Sequence, residues 1–236
     1  MTQSGTFSLI RPLVRRGRAT CARLAGRVLL TPVLPRPRAR RLLQLYLGLY
    51  CYGLGGALQV ASDLGAVPWD VFHQGLALHT PISIGGWSVL VGGALMLLWI
   101  PLRQRPGIGT LSNVVVIGVS LDLSLWLLPE PEGLPARVGL LVMGIVSIAL
   151  ATGCYIGAGL GPGPRDGLMT GLAQRGLSIR LARTCIEVTV VAIGFVLGGA
   201  VGVGTLAFAL AIGPLTQLFL PLLRVESATM DDGTRS

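Results

Sequence analysis

Six long apolar runs, separated by short polar or Gly/Pro-rich breaks, dominate the chain; they fall at about 42–62, 84–102, 108–128, 138–158, 182–201 and 205–223. Each approaches the ~20 residues that a helix needs to cross the hydrocarbon core of a bilayer. The pattern therefore predicts an all-α polytopic membrane protein with six transmembrane helices. Tyr46, Tyr50 and Tyr52 supply the first run with aromatic anchors of the kind found at membrane interfaces. Two further stretches, at about 70–78 and 167–173, read as helical but are too short to cross.

The runs repeat. Leu64-Gly65-Ala66-Val67-Pro68-Trp69-Asp70 and Leu160-Gly161-Pro162-Gly163-Pro164-Arg165-Asp166 share the form L-G-x-x-P-x-D, and a Gly-Leu-Ala follows each, at 75–77 and 171–173. In both copies Gly65 or Gly161 permits a turn and Pro68 or Pro164 pre-sets the first turn of a helix. Asp70 or Asp166 then sits where the unsatisfied N–H groups of that turn point. The match continues through Ile82-Ser83-Ile84 with Leu177-Ser178-Ile179, and through Gly107-Ile108-Gly109-Thr110-Leu111 with Gly202-Val203-Gly204-Thr205-Leu206. Ile117-Gly118 and Ile212-Gly213 hold the same offset. Such collinear matches divide the chain into a tail over 1–40, a first membrane repeat over 41–128, a second over 137–224 and a short tail over 225–236.

Three spans per repeat is an odd number, so the second repeat enters the membrane from the opposite side if every span crosses. The arginines test this. All 19 basic residues are Arg, and ten of them lie between Arg11 and Arg41, ahead of the first acid at Asp63. With that tail inside, 63–83 lies outside and holds no Arg, whereas its counterpart 159–183 lies inside and holds Arg165, Arg175, Arg180 and Arg183. Arg103 and Arg105 fall in an inside loop, Glu130 and Glu132 in an outside one, and Arg224 begins an inside tail. Only Arg137 departs from the positive-inside rule. The two repeats are expected to be inverted in topology, with both termini cytoplasmic.

Composition agrees with this picture and narrows the chemistry. The chain is 52% hydrophobic and only 12% charged, with a mean hydropathy of +0.71, against roughly 25% charged for a soluble domain. The net charge of +9 sits mostly in the Arg-rich tail. That tail is expected to touch anionic lipid headgroups rather than nucleic acid, for it lacks the aromatic interleaving of a nucleic-acid motif. A surface-lying helix over 9–30 is weakly patterned within it. The four cysteines are scattered, with no C-x-x-C, and His73 and His79 lack metal-site spacing. No metal, no cofactor and no enzymatic activity are expected, and no P-loop points to ATP.

Inverted repeats with Gly/Pro-broken elements at matching positions are a layout of secondary transporters, in which half-helices meet near the midplane. Segments 63–80 and 159–176 read either as re-entrant elements that bring Asp70 and Asp166 to a shared cavity, or as surface loops whose Asp residues only cap short helices. Trp69 in the first copy becomes Arg165 in the second; a re-entrant Arg165 would meet an anionic group, a cytoplasmic one would only follow the positive-inside pattern. Asp122 in the third span aligns with Gln217 in the sixth, which puts a polar group at one level in both halves. Glu187 in the fifth span is a second intramembrane carboxylate, with Arg183 four residues before it.

These motifs, with I-P-L-R-Q-R-P-G-I-G-T-L after the second span and G-L-G-P-G-P-R-D-G-L-M-T-G-L in the second half, resemble the YczE branch of the YczE/YyaS/YitT-type bacterial membrane proteins over about 42–224. The resemblance implies a bacterial inner-membrane protein and carries no chemistry with it. The expected function is a secondary transporter or permease of an unknown small molecule, with proton coupling open to its carboxylates. The alternative is a non-transporting scaffold or regulator that docks lipid or partners through the basic tail.

Overall fold

In the computed structural model, residues 37–225 are described, and they form eight α-helices and no strand. These are α1 (Arg38–Ser62), α2 (Pro68–Leu78), α3 (Ile84–Leu102), α4 (Ile108–Leu127), α5 (Gly133–Gly157), α6 (Pro164–Ala173), α7 (Ile179–Val196) and α8 (Val203–Leu223). Residues 1–36, with the interfacial helix and lipid contact expected there, and residues 226–236 lie outside the described residues.

Among the described residues α3, α4, α5 and α8 are long and apolar enough to cross a membrane. α1 is as long, at 25 residues, but its apolar part is diluted by Tyr, Gly and Gln59. α7 carries Arg180, Arg183 and Glu187 within 18 residues. Large apolar side chains such as Leu97, Ile100, Val119, Leu210 and Leu222 point outward, a surface that acyl chains solvate and water does not. The protein is a multi-pass helical membrane protein.

Boundaries shift where local chemistry overrides the apolar pattern. α1 starts at Arg38, ahead of its apolar run, because Arg is a good helix former and Arg41 turns inward. Arg41 donates from Nη1 to Ala158 O at 2.7 Å and from Nη2 to Val225 O at 3.1 Å, which satisfies carbonyls at the ends of α5 and the chain beyond α8. α7 stops at Val196, short of residue 201, where Gly198 takes φ +90° and turns the chain. The short helices start at Pro68 and Pro164 themselves.

α1 lies at the centre, with α5 on one face and α4 on the other, and α5 packs in turn on α8. α1 and α5 run antiparallel. Gly48 sits against Cys154, and Gly55 against Gly144, so closely that a Cβ would come within 2.8 and 2.9 Å of the neighbour; small residues let the backbones approach. α2 lies on α7, and α6 on α3. α3 also packs along α4, whereas α7 and α8, at the matched positions, scarcely touch.

Candidate functional site

The two L-G-x-x-P-x-D turns are held by the opposite half of the chain. Gly204 N donates to Leu64 O at 2.7 Å, and Gly109 N donates to Leu160 O at 2.9 Å. Thr205 Oγ1 donates to Ala66 O at 2.9 Å, and Thr110 Oγ1 to Pro162 O at 2.8 Å. Each G-x-G-T-L segment thus clamps the turn of the other repeat. Gly65 and Gly161 adopt φ +115° and +123°, and a Cβ on either would approach the clamping threonine within 2.8 or 2.9 Å. Glycine is required there both by conformation and by room. Ala66, Val67 and Leu160 are buried, which surface loops are not.

These clamps bring the starts of α2 and α6 together. The Arg165 guanidinium stacks over the Trp69 ring, 4.8 Å from its centroid, so the motifs meet at one of the positions where they differ. Trp69 packs with Leu95 and Val190, flanked by Phe72, Leu168, Val91 and Ile186. Leu95 with Val190, Phe72 with Leu168 and Val91 with Ile186 are matched positions of the two halves. Leu95 lies seven residues before the end of α3, and Val190 is similarly interior to α7, so the junction meets these two long helices well inside their ends.

Beside the junction is a cavity of about 60 Å3 lined by Tyr52, Ser88, Asn113, Tyr155, Arg165 and Asp166, among others. Tyr155 donates its hydroxyl to Asp166 Oδ2 at 2.9 Å, and Tyr52 meets Tyr155 edge-on at 6.2 Å between centroids. Among the described residues, the side chains of Arg165, Asn113, Ser88 and Tyr52 hydrogen-bond no other residue.

The expected site residues divide between this junction and other places. Asp166, Arg165 and Pro164 line the cavity. Asp70 is buried against Gly56, with His73 Nδ1 at 3.3 Å from Oδ1, and His73 is fully buried beside it. Asp122 is engaged elsewhere: it accepts from the Ser83 hydroxyl at 2.6 Å and from Gly85 N at 2.8 Å, which ties the start of α3 to α4. Gln217 is exposed on α8, away from the cavity lining. Glu187 accepts from Arg183 Nε at 2.9 Å and borders a separate apolar groove of about 490 Å3, shared with Pro68, Phe195 and Leu206. Arg137, the outlier of the arginine pattern, pairs with Asp63 at 3.2 Å. Among the described residues, no three of His, Cys, Asp and Glu are grouped to hold a metal.

Four cavity residues escaped sequence reasoning: Tyr52, Ser88, Asn113 and Tyr155. Their matched positions hold Ile148, Arg183, Phe208 and Gln59, so a search for what repeats passes over them. Tyr52 reads as an interface anchor from sequence but turns to the cavity, while Tyr46 and Tyr50 remain exposed.

Residues 39–221 match a family described as a family of unknown function, DUF6198. An uncharacterized protein of Haemophilus influenzae is 43% identical over 180 residues, 76% of this chain and 83% of its own length. The Bacillus subtilis membrane protein YczE is 34% identical over 180 residues, 75% of this chain and 83% of its own. YyaS of the same organism is 28% identical over 184 residues, 75% of this chain and 90% of its own. No solved structure matches the chain.

Proposed function

The chain belongs to the DUF6198 family, and we propose that it is a secondary transporter or permease-like protein for a small molecule, not an enzyme, in the bacterial inner membrane. The six long helices are read as spans of two inverted-topology repeats, α1 to α4 and α5 to α8, with both termini cytoplasmic. Antiparallel packing of the matched helices α1 and α5 supports the inversion, as do the reciprocal clamps of the two turns. The pairing of Arg137 with Asp63 supports the orientation, because it gives the one misplaced arginine a carboxylate on the expected outer side.

The observation that carries the functional reading is the stack of Arg165 on Trp69 beside a polar cavity. Turns on opposite sides of a bilayer can touch only if both dip inward. Irregular backbone at that depth is tolerated where protein or a cavity covers it, and half-helix N-termini facing such a cavity are how many transporters hold substrate.

The test is thermal stabilisation of the purified full-length protein across a metabolite panel, followed by uptake of any stabilising compound into proteoliposomes. At least one compound is expected to stabilise and to accumulate. Uptake should fall at least tenfold in Asp166→Asn, with a smaller loss in Asp70→Asn. No stabilisation by any compound, with both variants still complementing a deletion phenotype, would overturn the proposal. Cysteines introduced at Pro81 and Leu177 should label from opposite faces; labelling from one face removes the inverted topology.

A further inference from the structure

We infer that the cavity at the junction binds a small monocarboxylate anion, with Arg165 as its principal ligand; this rests on the transporter reading above. The first argument is the donor balance. Arg165 is a donor only, and among the described residues it makes no hydrogen bond or ion pair, only the stack on Trp69. That stack uses the face of the guanidinium and leaves its five in-plane N–H groups free. Asn113, Ser88 and Tyr52 add donors that no other residue uses. Arg165 is half-buried and lines the cavity with unused donors, and a carboxylate there would complete them with charge-assisted hydrogen bonds.

The second argument concerns the one carboxylate in the lining. Asp166 lies in the first turn of α6, whose backbone N–H groups favour its charge, and it already accepts from the Tyr155 hydroxyl. It forms no ion pair with its neighbour Arg165. The planar fork of Arg165 therefore stays available to a second carboxylate, which it matches in bidentate geometry.

Size narrows the class. About 60 Å3 of room holds roughly four to six water-sized spheres, which suits an anion of acetate or lactate size.

The experiment uses the full-length protein in detergent, with its melting temperature followed against acetate, lactate, phosphate and chloride at constant ionic strength. Acetate or lactate should stabilise saturably, and phosphate and chloride should not. Arg165→Gln should abolish the shift, Arg165→Lys should weaken it about tenfold by losing the bidentate contact, and Asn113→Ala should weaken it several-fold. If Arg165→Gln does not fold, Arg165→Lys and Asn113→Ala carry the test. Equal stabilisation by chloride or phosphate, or a carboxylate shift unchanged by Arg165→Lys and Asn113→Ala, overturns the inference. If instead a neutral or cationic compound stabilises and is taken up whatever stands at 165, the inference falls and the transporter reading stands. If acetate binds through Arg165 and no anion is taken up, the site stands and transport falls.

Discussion

The pair α3–α4 and its matched pair α7–α8 share a sequence pattern and differ in how they pack. Gly85 and Gly118 bring α3 and α4 so close that a Cβ on either would come within 2.1 or 2.4 Å of the other's carbonyl oxygen, and Asp122 ties the two helices at that point. At the matched positions stand Arg180, Gly213 and Gln217. A guanidinium stem cannot enter a contact built for glycine, and a Cβ on Gly213 would meet nothing within 4 Å. The helices part, and an apolar groove of about 490 Å3 lies between them. Alignment of two polar residues therefore does not give them one task. Asp122 is a helix tie, and Gln217 faces outward.

The largest expected effect comes from filling the tight contact. Gly118→Leu should destabilise the detergent-solubilised protein by about 1–3 kcal/mol or more through overpacking, whereas Gly213→Leu should stay within about 0.5 kcal/mol. Thermal unfolding of the two variants reads the difference, and equal losses would show that the two helix pairs pack alike. Next in size is the tie itself. Asp122→Ala leaves Ser83 and Gly85 N without their acceptor and should cost about 1–2 kcal/mol, with the affinity of any cavity ligand unchanged. Gln217→Ala should be neutral in both. Loss of ligand affinity in Asp122→Ala without loss of stability would return Asp122 to the pathway.

What the sequence made legible follows the same division. The helices, the two turns and the two G-x-G-T-L segments could be read because each repeats, and repetition survives where backbone geometry demands Gly, Pro or Thr at a fixed place; that each segment clamps a turn of the other half could not. Gly65, Gly161, Thr110 and Thr205 are such positions. The junction could be read only in part. Trp69 and Arg165 stood out as a charge difference within a repeated motif, but that they stack depends on how two distant segments are clamped, which no local pattern encodes. Tyr52, Tyr155, Ser88 and Asn113 carry no repeat at all. The cavity takes unlike side chains from the two halves of the chain.

The smallest expected effect tests the open side of the comparison. Gly92 in α3 lies 3.4 Å, measured from its would-be Cβ, from Val114 of α4, and its matched residue in α7 is Glu187. Gly92 keeps α3 in ordinary contact with α4 there, while a carboxylate leaves α7 unable to close on α8 without burying charge. Glu187 instead reaches back to Arg183, one turn away, and both side chains keep partial exposure. A pair of this kind contributes about 0.3–0.5 kcal/mol, so Arg183→Gln and Glu187→Gln should each change stability by no more than that, and the double variant should match either single one. A loss above ~1 kcal/mol in Glu187→Gln alone would mean that the carboxylate holds something across the groove besides Arg183. The groove would then be a closed part of the fold, and the asymmetry between α3–α4 and α7–α8 would disappear.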